Sequence, residues 1–283
     1  MATVGLLHPG EMGAAVGGCL VSVGHEVLWD PAGRSRATTG RALAAGLTGV
    51  SFDRIIARSE MIFSICPPHA AVDVAHQVAS AGYAGFYVDA NAVSAETAGQ
   101  VSAIVTAAGG TYVDGAIIGA PPEVAGRARL YLSGPDAGRI RPLFDRSRVE
   151  TRIVDGPRYG ASSVKMAFAA WTKGSSALLL AARALARAGG VESTLLSEWS
   201  MSQKALGEQS EQAAASAAAK GWRWVGEMEE IAAAMASAGL PPGFHEAAAE
   251  IYERASHAEG PAARRLQAAE PPSTLDSIMS ALI

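Results

Sequence analysis

The sequence predicts an α/β protein in two parts, a mostly parallel sheet with helices on its faces followed by an all-α region. Three observations predict it. Up to about residue 155, short β-like runs alternate with stretches of helical length and period. After Pro157 the β-like runs stop and alanine-rich helical patterns take over. The chain's 283 residues are also enough for two domains, each burying its own core.

The expected strands, in order, are TVGLL (3–7), HEVLW (25–29), MIFSI (61–65), GFYVDA (85–90), TYVDGAII (111–118), RLYLSG (129–134) and TRIVD (151–155). Each is a run of four to eight residues rich in β-branched, aromatic and aliphatic side chains, and most are bounded by Gly, Pro or Asp. Between most of them lie helical patterns, among them 12–23, 70–81 and 95–108. Strand–helix–strand alternation calls for a parallel sheet, because a parallel neighbour is reached only through a long crossover. From Tyr159 the text YGASSVKMAFAAWTKGSSALLLAARALARAGG reads as one long helix stopped by Gly189-Gly190. Beyond it, the helical segments are expected to break at Gly221 and at Leu240-Pro241-Pro242-Gly243. The expected division is 1–157 for the sheet domain and 158–283 for the helical domain.

Composition excludes several classes of function. Apolar residues make up 49% and charged residues 18%, the balance of a globular chain. A net charge of −4 argues against nucleic acid or an anionic membrane as the main partner. Cys19 and Cys66 stand far apart with no C-x-x-C, which gives no disulfide framework and suits a reducing compartment. The six histidines show no paired ligand spacing, so no metal site is expected. Glu11 interrupts the only stretch that could mimic a signal, and Arg183 and Arg187 break the apolar run ALLLAARALARA, so a cytoplasmic protein without a membrane span is expected.

The first strand runs straight into GLLHPGEMG (Gly5–Gly13), nearly the G-x-G-x-x-G turn of a Rossmann-type domain, with His8 in the place of the first glycine. Gly10 lets a backbone approach a pyrophosphate, and Gly13 lets the following helix pack closely on the strand. The phosphates would sit at the helix N-terminus, where free N–H groups and the dipole favour an anion. The end of the second strand selects the coenzyme. LWDPAGRSRATT offers Asp30, then Arg34, Ser35 and Arg36. One carboxylate against two guanidiniums and a hydroxyl favours a ribose 2′-phosphate, hence NADP(H), over the 2′-hydroxyl of NAD(H). A solvated surface loop is the alternative reading of the same residues.

These pieces, with SICPP, VDANAVSAETA, DGAIIGAPP and SSVKMAFAAWTKG, fall in the order and approximate spacing of the β-hydroxyacid dehydrogenases. The sequence resembles that family along nearly its whole length. The family includes 6-phosphogluconate and 3-hydroxyisobutyrate dehydrogenases, with imine reductases as relatives, and the likeness is greatest to a bacterial 6-phosphogluconate dehydrogenase-like branch with its own C-terminal helical domain. The resemblance implies that Leu7, His8, Pro9, Gly10, Glu11, Met12 and Gly13 form the pyrophosphate loop. It implies that Arg34 and Ser35 hold the 2′-phosphate, and that Cys66, Pro67 and Asn91 lie near the ribose and nicotinamide. Lys165 matches the family's catalytic lysine. Ile118, Gly119, Phe168, Ala169 and Thr172 fall at substrate-facing positions, and a homodimer through the helical domains is implied. The chain departs from the family at Ile118, where a serine is usual, and at Ala169, where an asparagine is usual, so two groups that grip a short hydroxy acid are missing.

Lys165, Phe168, Ala169 and Thr172 share one face of a helix by their spacing. A lysine on so apolar a face loses solvation, which lowers its pKa toward the working pH and suits it to pass a proton. Without the family match, a surface lysine whose stem snorkels to water is the simpler reading. An ammonium repels an iminium cation, so Lys165 favours carbonyl–hydroxyl chemistry over imine reduction. The alternatives are an imine or iminium reductase, or a non-catalytic NADPH-binding protein. Lys173, Trp199, Trp222, Trp224, Glu227 and His245 are further candidates in the helical domain, with core packing or surface exposure as plausible for each. In the terminal STLDSIMSALI, Leu275, Ile278, Met279 and Leu282 form an apolar stripe that requires a surface to cover it.

Overall fold

The computed structural model describes residues 1–257 and 275–283. The chain divides into two compact units, Met1–Met166 and Ala167–Ile283.

The first unit is built on an eight-stranded sheet in the order β3-β2-β1-β4-β5-β6-β7-β8. The strands are β1 (Thr3–Leu7), β2 (Glu26–Trp29), β3 (Thr48–Gly49), β4 (Met61–Ser64), β5 (Phe86–Asp89), β6 (Thr111–Gly119), β7 (Ala128–Ser133) and β8 (Val149–Ile153). All neighbouring pairs are parallel except β6–β7, a hairpin. Thus the seven expected strands are present, and an eighth, β3, joins them. It is two exposed residues long, too short for an alternating pattern to announce.

Side chains alternate between the sheet's faces. Val4, Leu6, Val27, Trp29, Phe63 and Val88 belong to one buried cluster, with Val16, Cys19 and Leu20 of α1 (Glu11–Ser22). Leu7, Leu28, Ile62, Tyr87 and Tyr112 belong to the other, under helices α3 (Phe52–Arg58), α4 (Ala71–Ser80) and α5 (Ala95–Ala107). Period-two strands with both faces covered read as nearly continuous apolar runs, which is how MIFS and FYV appear in sequence. The serines Ser35 and Ser94 cap α2 (Arg36–Ala44) and α5, accepting from the N–H groups of Thr38 and Thr97. A short α6 (Ala137–Ile140) follows β7.

The long helix α7 (Gly160–Ala188) contains the division between the units, and its first turn belongs to the sheet unit. The second unit holds the rest of α7 with α8 (Glu192–Ser202), α9 (Leu206–Ser237), α10 (Gly243–His257) and α11 (Leu275–Leu282). The expected break at Leu240–Gly243 separates α9 from α10. The expected break at Gly221 does not occur: α9 runs through it. A Cβ at Gly221 would lie 3.1 Å from the Tyr252 carbonyl oxygen, so this glycine serves the close approach of α9 and α10 rather than a turn. The C-terminal stripe also finds its cover within the unit. Ile278 and Met279 are fully buried, and α11 packs on α9 and α10. No described helix is long and apolar enough to cross a membrane.

Candidate functional site

The strand order reverses between β1 and β4, since the chain moves outward through β2 and β3 before returning to pair β4 with β1. In open α/β sheets, ligands bind beyond the carboxyl ends of the strands at such a point. The pairing register puts Leu7, Ser64, Asp89 and Asp114 in one row across β1, β4, β5 and β6. This row marks the carboxyl edge of β1, β4 and β5, while β6 continues past it to Gly119.

At the head of the row, His8 takes φ +64°, the left-handed conformation that a glycine would adopt at no cost. The turn brings the Gly10 N–H to 2.7 Å from the His8 carbonyl oxygen and starts α1 at Glu11. A Cβ at Gly13 would stand 2.6 Å from that same oxygen, so the close packing of α1 on β1 requires glycine there. Leu7 and Pro9 are buried, Met12 is half-buried and Glu11 is exposed in the first turn. His8 Nδ1 is buried without a hydrogen-bond partner, and burial, reinforced by the Arg34 charge, lowers the imidazole pKa to about 4. The loop therefore presents a neutral ring and an open helix N-terminus, a combination that accepts an anion.

Beyond β2, the Asp30 carboxylate folds back to accept the Ala32 N–H at 2.9 Å. Arg34 and Arg36 are exposed on either side of Ser35, whose hydroxyl caps α2. Two arginines and a helix N-terminus thus fall within one short stretch whose carboxylate is already engaged in its own turn.

The loops after β4 and β5 are tied together by Asn91. Its Oδ1 accepts the Cys66 N–H at 2.6 Å, its Nδ2 donates to Ser64 Oγ at 3.1 Å, and its own N–H donates to Asp89 Oδ1 at 3.2 Å. Cys66 is no ready nucleophile, because burial pushes its thiol up to about 12. Pro67 is exposed at the start of the following 3-10 turn. Asp89, which also accepts from Tyr112 OH at 3.4 Å, is fully buried; burial and the neighbouring Asp114 charge, partly opposed by hydrogen bonds, raise it to about 7.

At the other end of the row, Asp114 receives the first turn of α7. Ser162 donates from Oγ at 2.6 Å and from its backbone N at 3.0 Å, and Ser133 Oγ lies 2.7 Å away. Ser133 Oγ in turn accepts the Ala161 N–H at 3.0 Å. One helical turn later, Lys165 Nζ donates to the Ile117 carbonyl oxygen at 2.8 Å. Ile118 is buried within β6, and Gly119 has φ +115°, where a Cβ would strike the Arg127 carbonyl oxygen. Its glycine is explained by the hairpin alone.

Of the expected site residues, the loop from Leu7 to Gly13, Cys66, Asn91, Ile118, Gly119 and Lys165 are gathered along this edge of one unit. Phe168, Ala169 and Thr172 belong to the second unit; Phe168 is exposed, Ala169 is buried, and the Thr172 hydroxyl bonds the Phe168 carbonyl oxygen of its own helix. Sequence reasoning missed Ser64, Asp89, Ser133 and Ser162. The only signal of the first three is polarity at the last residue of an apolar strand, and Ser162 is one polar residue in a helix start.

Several helical-domain candidates bind one another. Lys173 forms an ion pair with Glu227 and sits 5.5 Å from the centre of the Trp224 ring, while Tyr252 OH donates to the Lys173 carbonyl oxygen at 2.6 Å. His245 is buried with Nε2 3.4 Å from the Ala170 carbonyl oxygen. Trp199 is buried and Trp222 half-exposed. Among the described residues, no group of three or more His, Cys, Asp or Glu could hold a metal ion.

A family described as a domain of unknown function, DUF1932, matches residues 186–255. The conserved protein MTH1747, itself of unknown function but structurally similar to 3-hydroxyacid dehydrogenases, is 26% identical and superposes with a TM-score of 0.65 over 95% of this chain and 100% of its own. The chain has the fold of the 3-hydroxyacid dehydrogenases. The 3-hydroxyisobutyrate dehydrogenase of Mycobacterium tuberculosis, solved with L-serine, shares the fold at 17% identity (TM-score 0.65, covering 100% of this chain and 99% of that one). An imine reductase from Pseudomonas sp. shares it at 17% identity, with a lower TM-score of 0.53 over 100% and 99% of the two chains. Other structures of this fold hold NADP+ or NAD+. No curated protein matches the sequence.

The buried row of this chain has a measurable consequence. Folded Asp89 keeps its proton to about pH 7, whereas its ordinary value is 3.8. Between those values the native state binds more protons than the unfolded state, so this group's contribution to stability falls as pH rises and levels off above 7. His8 acts in the opposite sense, since its lowered pKa costs stability as pH falls below 6.5. Urea denaturation of Asp89→Asn and the native protein from pH 4 to 8 isolates the first effect. The variant's relative stability is expected to climb up to about pH 7 and then hold; a pH-independent difference would contradict the assignment.

Proposed function

We propose that this chain is an NADP(H)-dependent oxidoreductase that interconverts a carbonyl and a hydroxyl carbon, with Lys165 as general acid and base. The observation that carries this reading is the placement of Lys165 on the same sheet edge as the glycine turn. β1, β4, β5 and β6 lie side by side, so the strand that leads into the turn and the strand that holds the lysine stand about 15 Å apart, three strand spacings of about 4.8 Å each.

The residues fit a dinucleotide. Gly13 leaves no room for a side chain, the first turn of α1 is open to an anion, and His8 Nδ1 is a buried polar atom without a partner. His8 to Gly13 would hold the pyrophosphate, Arg34 and Ser35 the 2′-phosphate, and Cys66, Pro67 and Asn91 would border the ribose and nicotinamide. When bound, the nicotinamide supplies or accepts a hydride at C4.

Lys165 handles the proton. In reduction, its ammonium passes a proton to the substrate oxygen as negative charge develops there; in oxidation, its neutral amine takes the hydroxyl proton. The bond to Ile117 O restrains Nζ at the edge in either direction. A cationic donor matches an oxygen becoming an alkoxide and repels an iminium, which favours carbonyl over imine substrates. With Ile118 where the family pattern has a serine, a substrate less polar than a short hydroxy acid is favoured.

We also infer a homodimer through the helical domains. On α7, Phe168, Trp171, Ser175, Leu178, Ala182 and Leu185 follow alternating three- and four-residue steps, the spacing of a helix-pairing seam. Trp171 and Leu185 are each 75% exposed. Apolar groups so arrayed favour a partner helix over water.

Three experiments test these statements. Turnover of aldehydes, keto acids and cyclic imines is followed by NADPH absorbance, and Lys165→Met is expected to cut kcat by about 10²-fold or more while NADPH still binds. Undiminished turnover would remove Lys165 from the reaction. Arg34→Ala is expected to raise the Kd for NADPH by roughly tenfold and leave NADH nearly unchanged, as for loss of one charge-assisted contact; equal losses would oppose the 2′-phosphate assignment. Trp171→Glu with Leu185→Glu is expected to yield a monomer in light scattering, and an unchanged dimer would place the interface elsewhere.

A further inference from the structure

We propose that Asp114, with Ser133 and Ser162, positions Lys165: the buried carboxylate sets the height and rotation of the first turn of α7, and thereby the place of the ammonium at the sheet edge. The inference rests on the reading of Lys165 as proton carrier, which it deepens.

The geometry is a two-point attachment. Ser162 and Lys165 stand three residues apart on α7 and share one side of that helix, while β6 meets them with the Asp114 side chain and, three residues on, the Ile117 backbone carbonyl. The first member of each pair meets at Ser162 Oγ–Asp114 (2.6 Å) and Ser162 N–Asp114 (3.0 Å), and the second at Lys165 Nζ–Ile117 O (2.8 Å). Two points fix both the position of a helix along its axis and its rotation about it. One would leave it free to turn.

A third contact prevents the first point from slipping. Ser133 on β7 holds Asp114 at 2.7 Å and takes the Ala161 N–H at 3.0 Å, so two successive backbone N–H groups of α7's first turn end on the sheet. These are donors that a helix start otherwise leaves without an intrahelical partner. The carboxylate also faces the positive end of a helix of 29 residues. Asp114 is 1% exposed, so it acts on the chemistry through the lysine and not by touching a ligand.

The deciding measurement needs no known substrate. Full-length protein is treated with limiting acetic anhydride, which acylates unprotonated amines, and the acetylation rate of each lysine is read by mass spectrometry. The exposed Lys204 and Lys220 serve as internal references. In Asp114→Asn and Ser162→Ala, Lys165 is expected to change its rate relative to these references by roughly tenfold, the scale of losing one hydrogen bond to a charged group. Ser162→Thr, which keeps the hydroxyl, restores the native rate. NADPH binding, read by fluorescence, stays at the native level in all three. With any carbonyl substrate found, kcat falls by roughly tenfold or more while the KM for NADPH holds, as expected when a reacting group is displaced by a fraction of an ångström.

Native Lys165 labelling in Ser162→Ala and Asp114→Asn, together with a lowered melting temperature, would make the cluster a stability device only and overturn the proposal. Should Asp114→Asn fail to fold, Ser162→Ala, which removes a single oxygen, decides alone. Absence of turnover with every substrate would count against the dehydrogenase reading, yet the labelling result would still decide the positioning role.

Discussion

Burying a carboxylate in a sheet costs several kcal/mol unless its lone pairs are met, and Asp114 is buried in one. The chain meets the cost with two serine hydroxyls and a helix terminus. Each such bond to a charged group contributes about 1.5–3 kcal/mol. These bonds oppose the cost of burial, which still leaves the group above its ordinary pKa. The arrangement joins three separate pieces of chain: β6, β7 and the start of α7. Everything the edge offers to a reaction is then referred to one rigid sheet, from the His8 turn at β1 to the Lys165 ammonium at β6. Sites placed on strands and helices are more sharply defined than sites on loops, and this edge gains that definition from polar groups placed where apolar ones would be cheaper.

A second carboxylate stands next to the first. Asp89 and Asp114 are register partners on adjacent parallel strands, and the charge of one disfavours the charge of the other. The two are satisfied differently. Asp114 accepts from the start of a long helix, whereas Asp89 accepts from the Asn91 N–H and the Tyr112 hydroxyl. The weaker set goes with a proton that Asp89 retains to about pH 7. Asn91 is bonded to Asp89 and also spans the loops after β4 and β5. The protonation state of one buried group is thereby linked to the loops that face the proposed nicotinamide end.

Much of this was legible in the sequence, for reasons that differ by element. Runs such as MIFS and FYVD declare themselves because both faces of a parallel sheet are covered, and the β1–α1 turn declares itself through Gly10 and Gly13. β3 gave no signal because two exposed residues have no pattern. Gly221 misled because a glycine that ends a helix and a glycine that lets two helices touch are the same letter; only the approach of Tyr252 distinguishes them. The C-terminal stripe was correctly apolar, but a stripe states that a face is covered and not by what. The Asp114 cluster was invisible for a further reason: its members at 114, 133, 161 and 162 converge only after β7 has paired back along β6.

The departure at Ile118 acquires a physical meaning in this setting. A site built to hydrogen-bond a polar substrate group discriminates strongly against analogues lacking it, by 10⁴-fold or more, because its own polar atoms are left unpaired. A site that has exchanged those atoms for hydrocarbon loses this penalty and gains only about 0.8 kcal/mol per methylene buried. Along the edge of this chain, polarity is concentrated where a coenzyme would lie: two arginines, a helix terminus, the Asn91 network and the lysine. The position after Ile117 contributes a buried aliphatic side chain. Under the proposed function, this balance means that directional bonds are spent on the coenzyme and on the transferred proton, and the remainder of the substrate is recognised by shape and burial.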